Sequence, residues 1–320
     1  MKNIVATKIR KSNIENFTSN FGLKFRKVFH KPISFIVRVV LRFFYKKKVI
    51  VSKKVNLDKN KCYIFASNHS VYLDGAAIMA TSDRNFYSLF GATEQLYNLD
   101  ILFAWLGGMI YVDRFNKQSR KDSVEKMNRV LRAGNSILLF PEGKWNDTEN
   151  LLCQKLFAGV YNLSVQNNVE VVPISVYNEI FEDNIFHISY GEPLKLFDYD
   201  KDKGLEILRD TLATMNYEQI EKYSTPFFRE KIEGDIHFKY MDERMFEYSK
   251  AKWKSDYCWD DELFTYKPGV VDLEDVWKDI DKVKIDVNNV DKFYELLKDL
   301  KRIKKYDFKN YMNENYRKRY

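Results

Sequence analysis

A chain of 320 residues can bury one substantial core plus an appendage. Three isolated cysteines, Cys62, Cys153 and Cys258, form no CxxC pair, and the four histidines share no metal-like spacing, which excludes a disulfide scaffold and speaks against a zinc site. The net charge of +8 is uneven: residues 1–48 hold thirteen Lys and Arg against Glu15 alone, a balance of +12, while the remainder carries −4, so the arm selects an anionic partner, membrane or nucleic acid.

In chain order, the first predicted element is an amphipathic helix over residues 32–45. Ser34, Arg38 and Arg42 stack four apart into a polar stripe, and the rest of the circumference is apolar. The apolar run falls short of the ~20 residues that a membrane span needs, so the helix is expected to lie in an interface. Lys46, Lys47 and Lys48 would then meet anionic head groups, each contributing about 1 kcal/mol. The competing reading packs this helix on the body with its arginines in water. Nucleic acid is not expected as a partner, because a wide apolar face has no use in a phosphate groove. The apolar stretch begins too late for a secretory signal and no small-residue cleavage site follows it, which predicts a peripheral (monotopic) protein on the cytoplasmic, inner face of the membrane.

From residue 61 onward, short apolar runs alternate with amphipathic ones. Strands are predicted at 63–67, 85–91, 108–112, 136–140, 169–177 and 185–190, with helices at 74–81, 94–105, 119–133 and 156–167 and a further one near 205–217. Such alternation implies an α/β fold, a mostly parallel sheet flanked by helices, whose post-strand loops gather at one edge. Three regions follow: an arm at 1–48, a catalytic body at 49–222 and a small helical, charged and aromatic extension at 223–320. Val290, Phe293, Leu296, Leu297, Leu300 and Ile303 form an apolar stripe in that extension, suited to packing.

The chemistry is concentrated in the loops. Asn68-His69-Ser70-Val71-Tyr72-Leu73-Asp74 sets a histidine and a carboxylate on one short segment after the first body strand. A neutral imidazole can take a proton from a hydroxyl, and a carboxylate on its other nitrogen fixes the tautomer. Gly108-Met109-Ile110-Tyr111-Val112-Asp113-Arg114 ends a strand on an arginine, Phe140-Pro141-Glu142-Gly143-Lys144 ends another on a turn, and Val171-Val172-Pro173-Ile174 follows. In this order and at these separations, the four blocks resemble those of the glycerolipid acyltransferase family, whose best-known members acylate lysophosphatidic acid. The resemblance runs from about residue 61 to 193.

That resemblance implies transfer of a fatty acyl group from a thioester, on coenzyme A or acyl carrier protein as co-substrate, to a hydroxyl of a lysolipid. No resident cofactor is implied. His69 would serve as general base with Asp74 as its orienter, Arg114 as phosphate ligand, and Glu142 as acceptor of a bond from the substrate hydroxyl. Backbone N–H groups around Gly143 are candidates for the oxyanion hole, against the plainer reading of a turn glycine. In the family's third block a small residue and then an arginine follow the glycine. Here Lys144 and Trp145 stand in those places, one a point charge on phosphate and the other uncharged, which leaves the acceptor open among lysophosphatidic acid, another lysolipid, and a glycolipid or cell-envelope precursor. Two other functions compete: a thioester hydrolase using the same histidine, and a non-catalytic membrane-binding protein on this scaffold. Arg114 disfavours the first, since water needs no phosphate clamp, and an intact His69–Asp74 pair disfavours the second.

Overall fold

The structure, a computed structural model, describes residues 13–70, 73–91, 103–113, 116–143, 145–146, 151–178 and 184–224. The extension with its apolar stripe, and most of the helix predicted at 94–105, lie outside the described residues. The described helices are α1 (Ile14–Thr18), α2 (Asn20–Phe43), α3 (Asp74–Thr81), α4 (Lys117–Arg132), α5 (Gly159–Asn167) and α6 (Lys201–Tyr223). The strands are β1 (Lys48–Lys53), β2 (Ile64–Ser67), β3 (Phe86–Phe90), β4 (Met109–Tyr111), β5 (Ser136–Leu139), β6 (Val171–Asn178) and β7 (Ile185–Tyr190).

One seven-stranded sheet has the order β1-β7-β6-β2-β5-β3-β4. The run from β6 to β4 is parallel, while β7 lies antiparallel to β6 and carries β1 parallel to itself. The central strands are apolar on both faces because helices cover both. Ile64, Ala66, Ile137 and Leu139 point to one side, where Met127 and Val130 of α4, Leu163 of α5 and Leu208 of α6 close the core. Phe65, Leu138, Val172 and Ile174 point to the other, against Ala77 and Ile78 of α3 and Leu41 of α2. Helix α4 starts where the Asn116 side chain accepts the N–H groups of Gln118 and Ser119, and its end is followed by Gly134 at φ +73°. The mostly parallel α/β sheet agrees with the alternation of apolar runs, and β1 is an addition to it that the sequence pattern did not suggest.

The arm is joined to the body. Helix α2 turns Arg26, His30 and Ser34, four apart, inward, and Arg38 continues the row as an exposed residue whose guanidinium reaches back to the body; each finds a backbone carbonyl there. Ser34 Oγ donates to Met79 O at 2.7 Å, and Arg38 Nε donates to Ala80 O at 2.9 Å. These carbonyls belong to the last turn of α3, where a helix has no internal donors left and where a cation is favoured by the helix dipole. His30 Nε2 bonds Arg84 O at 3.1 Å, and Arg26 Nη1 donates to Phe17 O and Gly22 O while its guanidinium lies over the rings of Phe17 and Trp105. The apolar side is left facing out: Phe35 is 66 %, Phe43 73 % and Phe44 80 % exposed, with Phe21 and Val28 alongside. Arg42 is also exposed, so the predicted stripe of Ser34, Arg38 and Arg42 divides between core and surface. No helix among the described residues is long and apolar enough to cross a membrane.

Candidate active site

Parallel neighbours release their loops at the same edge, so β2 and β5, which pair from Ile64↔Ile137 to Ala66↔Leu139, place residue 69 beside residues 140–146. Asn68 anchors the first loop: its Nδ2 donates to Val176 O at 3.0 Å and its Oδ1 accepts the Val176 N–H at 2.7 Å, as a strand residue would. Ser70 N–H donates to Asp74 Oδ2 at 2.7 Å, which folds the segment back on the first turn of α3.

Asp74 is fully buried, and its Oδ2 lies 3.2 Å from His69 Nδ1. An ionised carboxylate only accepts, so Nδ1 carries the proton and Nε2 is left as the basic nitrogen. The imidazole is stacked on Phe140, with centroids 4.3 Å apart, and meets the edge of Trp145 at 5.7 Å. Its side chain keeps 20 % exposure, enough for a reactant to reach it. This is an imidazole oriented by a buried carboxylate and still partly exposed.

The structure brings Glu142 to the same place in a different way from the one the sequence suggests. Its carboxylate turns inward, at 2 % exposure, with Oε1 accepting the His69 N–H at 3.0 Å and Oε2 the Gln154 N–H at 2.9 Å. Burial pushes its pKa up to about 7, the two N–H bonds work against that rise, and Asp74 adds to it. At 2 % exposure and with an N–H on each oxygen, it sits differently from the open hydroxyl acceptor that the resemblance implies. Gly143 is a turn glycine: φ is +72°, a Cβ there would strike the Phe157 ring, and its N–H donates to Phe140 O at 2.9 Å. That N–H therefore closes the turn and does not aim at an oxyanion.

Arg114 and Lys144 lie outside the described residues. The approach to Arg114 is fixed by the Asp113 N–H, which donates to Ser119 Oγ at 2.8 Å. Asn68, Asn146 and Gln154 are site residues that sequence reasoning passed over. Asn68 carried a signal, since a polar side chain at the end of an Ile-Phe-Ala-Ser strand must find bonds inside. The other two meet His69 and Glu142 through main-chain N–H groups, which no side-chain pattern records, although the Gln154 side chain also donates to Trp145 O at 2.9 Å. Among the described residues, no group of three or more His, Cys, Asp or Glu could hold a metal ion.

Residues 48–177 match the family model described as Acyltransferase. The chain is 26 % identical over 180 residues to the 1-acyl-sn-glycerol-3-phosphate acyltransferase of Borreliella burgdorferi, covering 52 % of this chain and 70 % of that protein. It is 22 % identical over 239 residues to a probable enzyme of the same name from Mycoplasma pneumoniae, covering 68 % and 80 %. The crystal structure of a lysophosphatidic acid acyltransferase from Thermotoga maritima superposes with a TM-score of 0.52 at 13 % identity, over 70 % of this chain and 98 % of that one, a likeness of fold.

Proposed function

Since the chain belongs to the glycerolipid acyltransferase family, we propose that it transfers a fatty acyl group from a thioester to the hydroxyl of a lysolipid, with His69 as general base and Asp74 as its orienter. The observation that carries this reading is the bond between His69 Nδ1 and buried Asp74, which leaves Nε2 as the basic nitrogen of a partly exposed ring. As the acceptor oxygen attacks the thioester carbonyl, Nε2 takes its proton. When the tetrahedral intermediate collapses, the carbon–sulfur bond breaks and His69 returns that proton to the departing thiolate. Ester and free thiol are the products. A lysophosphatidic acid-type acceptor is supported by the names of the relatives, and the resemblance gives its phosphate to Arg114, to which Lys144, a departure from the family pattern, can add a point charge. Coenzyme A and acyl carrier protein are both suitable carriers for the donor.

The membrane enters through α2. Its outward aromatic face, next to the lysine-rich turn at Lys46, Lys47 and Lys48, is suited to an anionic bilayer surface, where the acceptor resides.

The test is incubation of purified protein with a labelled acyl donor and a panel of lysolipids, read by mass spectrometry. Acylated lysolipid is expected with wild type. General acid–base help is worth about 10²- to 10⁴-fold, so His69→Ala should lose at least that much while its circular dichroism spectrum is unchanged. A residual rate above roughly one tenth would remove His69 from the role of base.

A further inference from the structure

We propose that Glu142 is a positioning residue, whose carboxylate ties together the main chains of the two loops that meet at His69 and touches no substrate. The inference rests on His69 being the base, and it differs from the substrate-binding role that the third block suggests.

The argument begins with where the bonds go. His69 is held by its peptide on both sides from one neighbouring loop: its N–H donates to Glu142 Oε1 at 3.0 Å, and its carbonyl accepts the Asn146 N–H at 2.7 Å. The second oxygen of Glu142 accepts the Gln154 N–H at 2.9 Å, twelve residues along the chain from Glu142 itself. One side chain thus bridges a loop after β2 and the segment that leads to α5, neither of which pairs with the other through a strand. Glu142 offers little surface to a ligand, since it is 2 % exposed and each oxygen already accepts an N–H. A carboxylate in such a place loses its water, and bonds from N–H groups to a charged acceptor are the strong kind, which here offset part of that loss.

The consequence is mechanical. The ring of His69 is set by Asp74 at Nδ1 and by Phe140 underneath, but both fix the ring relative to a backbone that must itself stay put. A reactive group misplaced by about 1 Å can lose on the order of 10²-fold in rate. In Glu142→Gln one oxygen still accepts, and the amide NH₂ faces the other N–H, donor against donor. The loop is then held at one point where it was held at two.

Steady-state kinetics of Glu142→Gln in the full chain distinguish the roles. A positioning residue predicts a fall in kcat of about 10- to 10²-fold with the KM of donor and acceptor each within twofold of wild type. A rise in the acceptor's KM alone would overturn the proposal, because it marks a hydroxyl ligand, and so would wild-type kcat. A second measurement needs no variant at this position. With ¹⁵N at histidine only, the chain gives four amide signals, and that of His69 is identified by its loss in His69→Gln. Its proton should lie well downfield, as expected of an N–H held by a carboxylate; a random-coil position overturns the clamp even if Glu142→Gln fails to fold. If wild type acylates nothing, the acyltransfer reading fails on its own, and the amide signal still reports on the clamp.

Discussion

At the scale of single residues, the site is an imidazole enclosed by aromatic rings and held by buried carboxylates. Trp145, edge-on to His69 at 5.7 Å, occupies the place where the family pattern has an arginine. An indole offers an apolar face and no charge for a phosphate. Trp145→Arg should therefore improve kcat/KM for phosphate-bearing lysolipids relative to neutral ones; an unchanged ratio across the panel would separate position 145 from the acceptor. Glu142 carries a second prediction, in stability. Its pKa in the fold, about 7, stands above the ordinary carboxyl value of 4.5, so between these values the folded chain keeps a proton that the unfolded chain has released. Stability from this group is complete below about pH 4.5 and is lost as pH rises through about 7, by roughly 3 kcal/mol. Urea midpoints measured at pH 5 and pH 8 should differ less in Glu142→Gln than in wild type. An equal difference in both would place the titrating group elsewhere.

At the scale of elements, the junction between α2 and α3 links the arm to the helix that begins with Asp74. Ser34 and Arg38 supply donors to the last carbonyls of α3, and His30 is buried beside them with its pKa lowered by desolvation to about 4. The sign is opposite to that of Glu142: the stability from His30 is present above its ordinary value of 6.5 and is lost as pH falls toward 4. Limited proteolysis should therefore cut α2 faster at pH 4.5 than at pH 7, and Arg38→Ala, at a cost of roughly 1 to 2 kcal/mol, should bring faster cutting already at pH 7. An acid response as large in His30→Gln as in wild type would exclude His30 as the cause.

How much of this could be read from the sequence depends on the range of each interaction. Helix α3 was found at Asp74–Thr81 and β7 at Ile185–Tyr190, since apolar runs with clear ends report local burial. The pair of His69 and Asp74 was equally legible, five positions apart on one loop. Strand β1 was not: Lys48 and Lys53 bracket a short apolar run that continues a basic arm, and only its partner β7 gives it meaning. The bond from His69 to Glu142 spans 73 residues and uses a main-chain N–H, which no side-chain pattern records. The polar row of α2 was half visible, as Ser34 and Arg38, without any sign of the carbonyls that it would meet.

At the scale of the whole molecule, the arm is both a structural part of the body and a bearer of unused apolar surface. Phe17, Leu23 and Leu41 are buried in the two cores, so removal of residues 1–48 would open the domain and also cut β1 at its first residue. The sharper test of membrane contact substitutes the outward side chains. Phe21, Phe35, Phe43 and Phe44 changed together to Ser should leave the melting temperature within a few degrees of wild type and abolish pelleting with anionic vesicles. Wild type should bind less in high salt without full release, because attraction to head groups is screened over ~8 Å at physiological ionic strength while apolar burial is not. Undiminished pelleting by the substituted protein would assign the lipid contact to another surface.

The pairing of β1 with β7 also imposes a timetable. Ser52 and His187, which meet across these strands, are 135 residues apart. A ribosome that adds about 5 to 20 residues per second leaves β1 without its partner for on the order of ten seconds. Early in that interval α2 and the carbonyls of Met79, Ala80 and Arg84 that its polar row bonds have all been made, while β1 still waits. The arm's helix can therefore dock on α3 well before its strand can pair, and the last strand of the sheet to be made is the one that brings β1 into it.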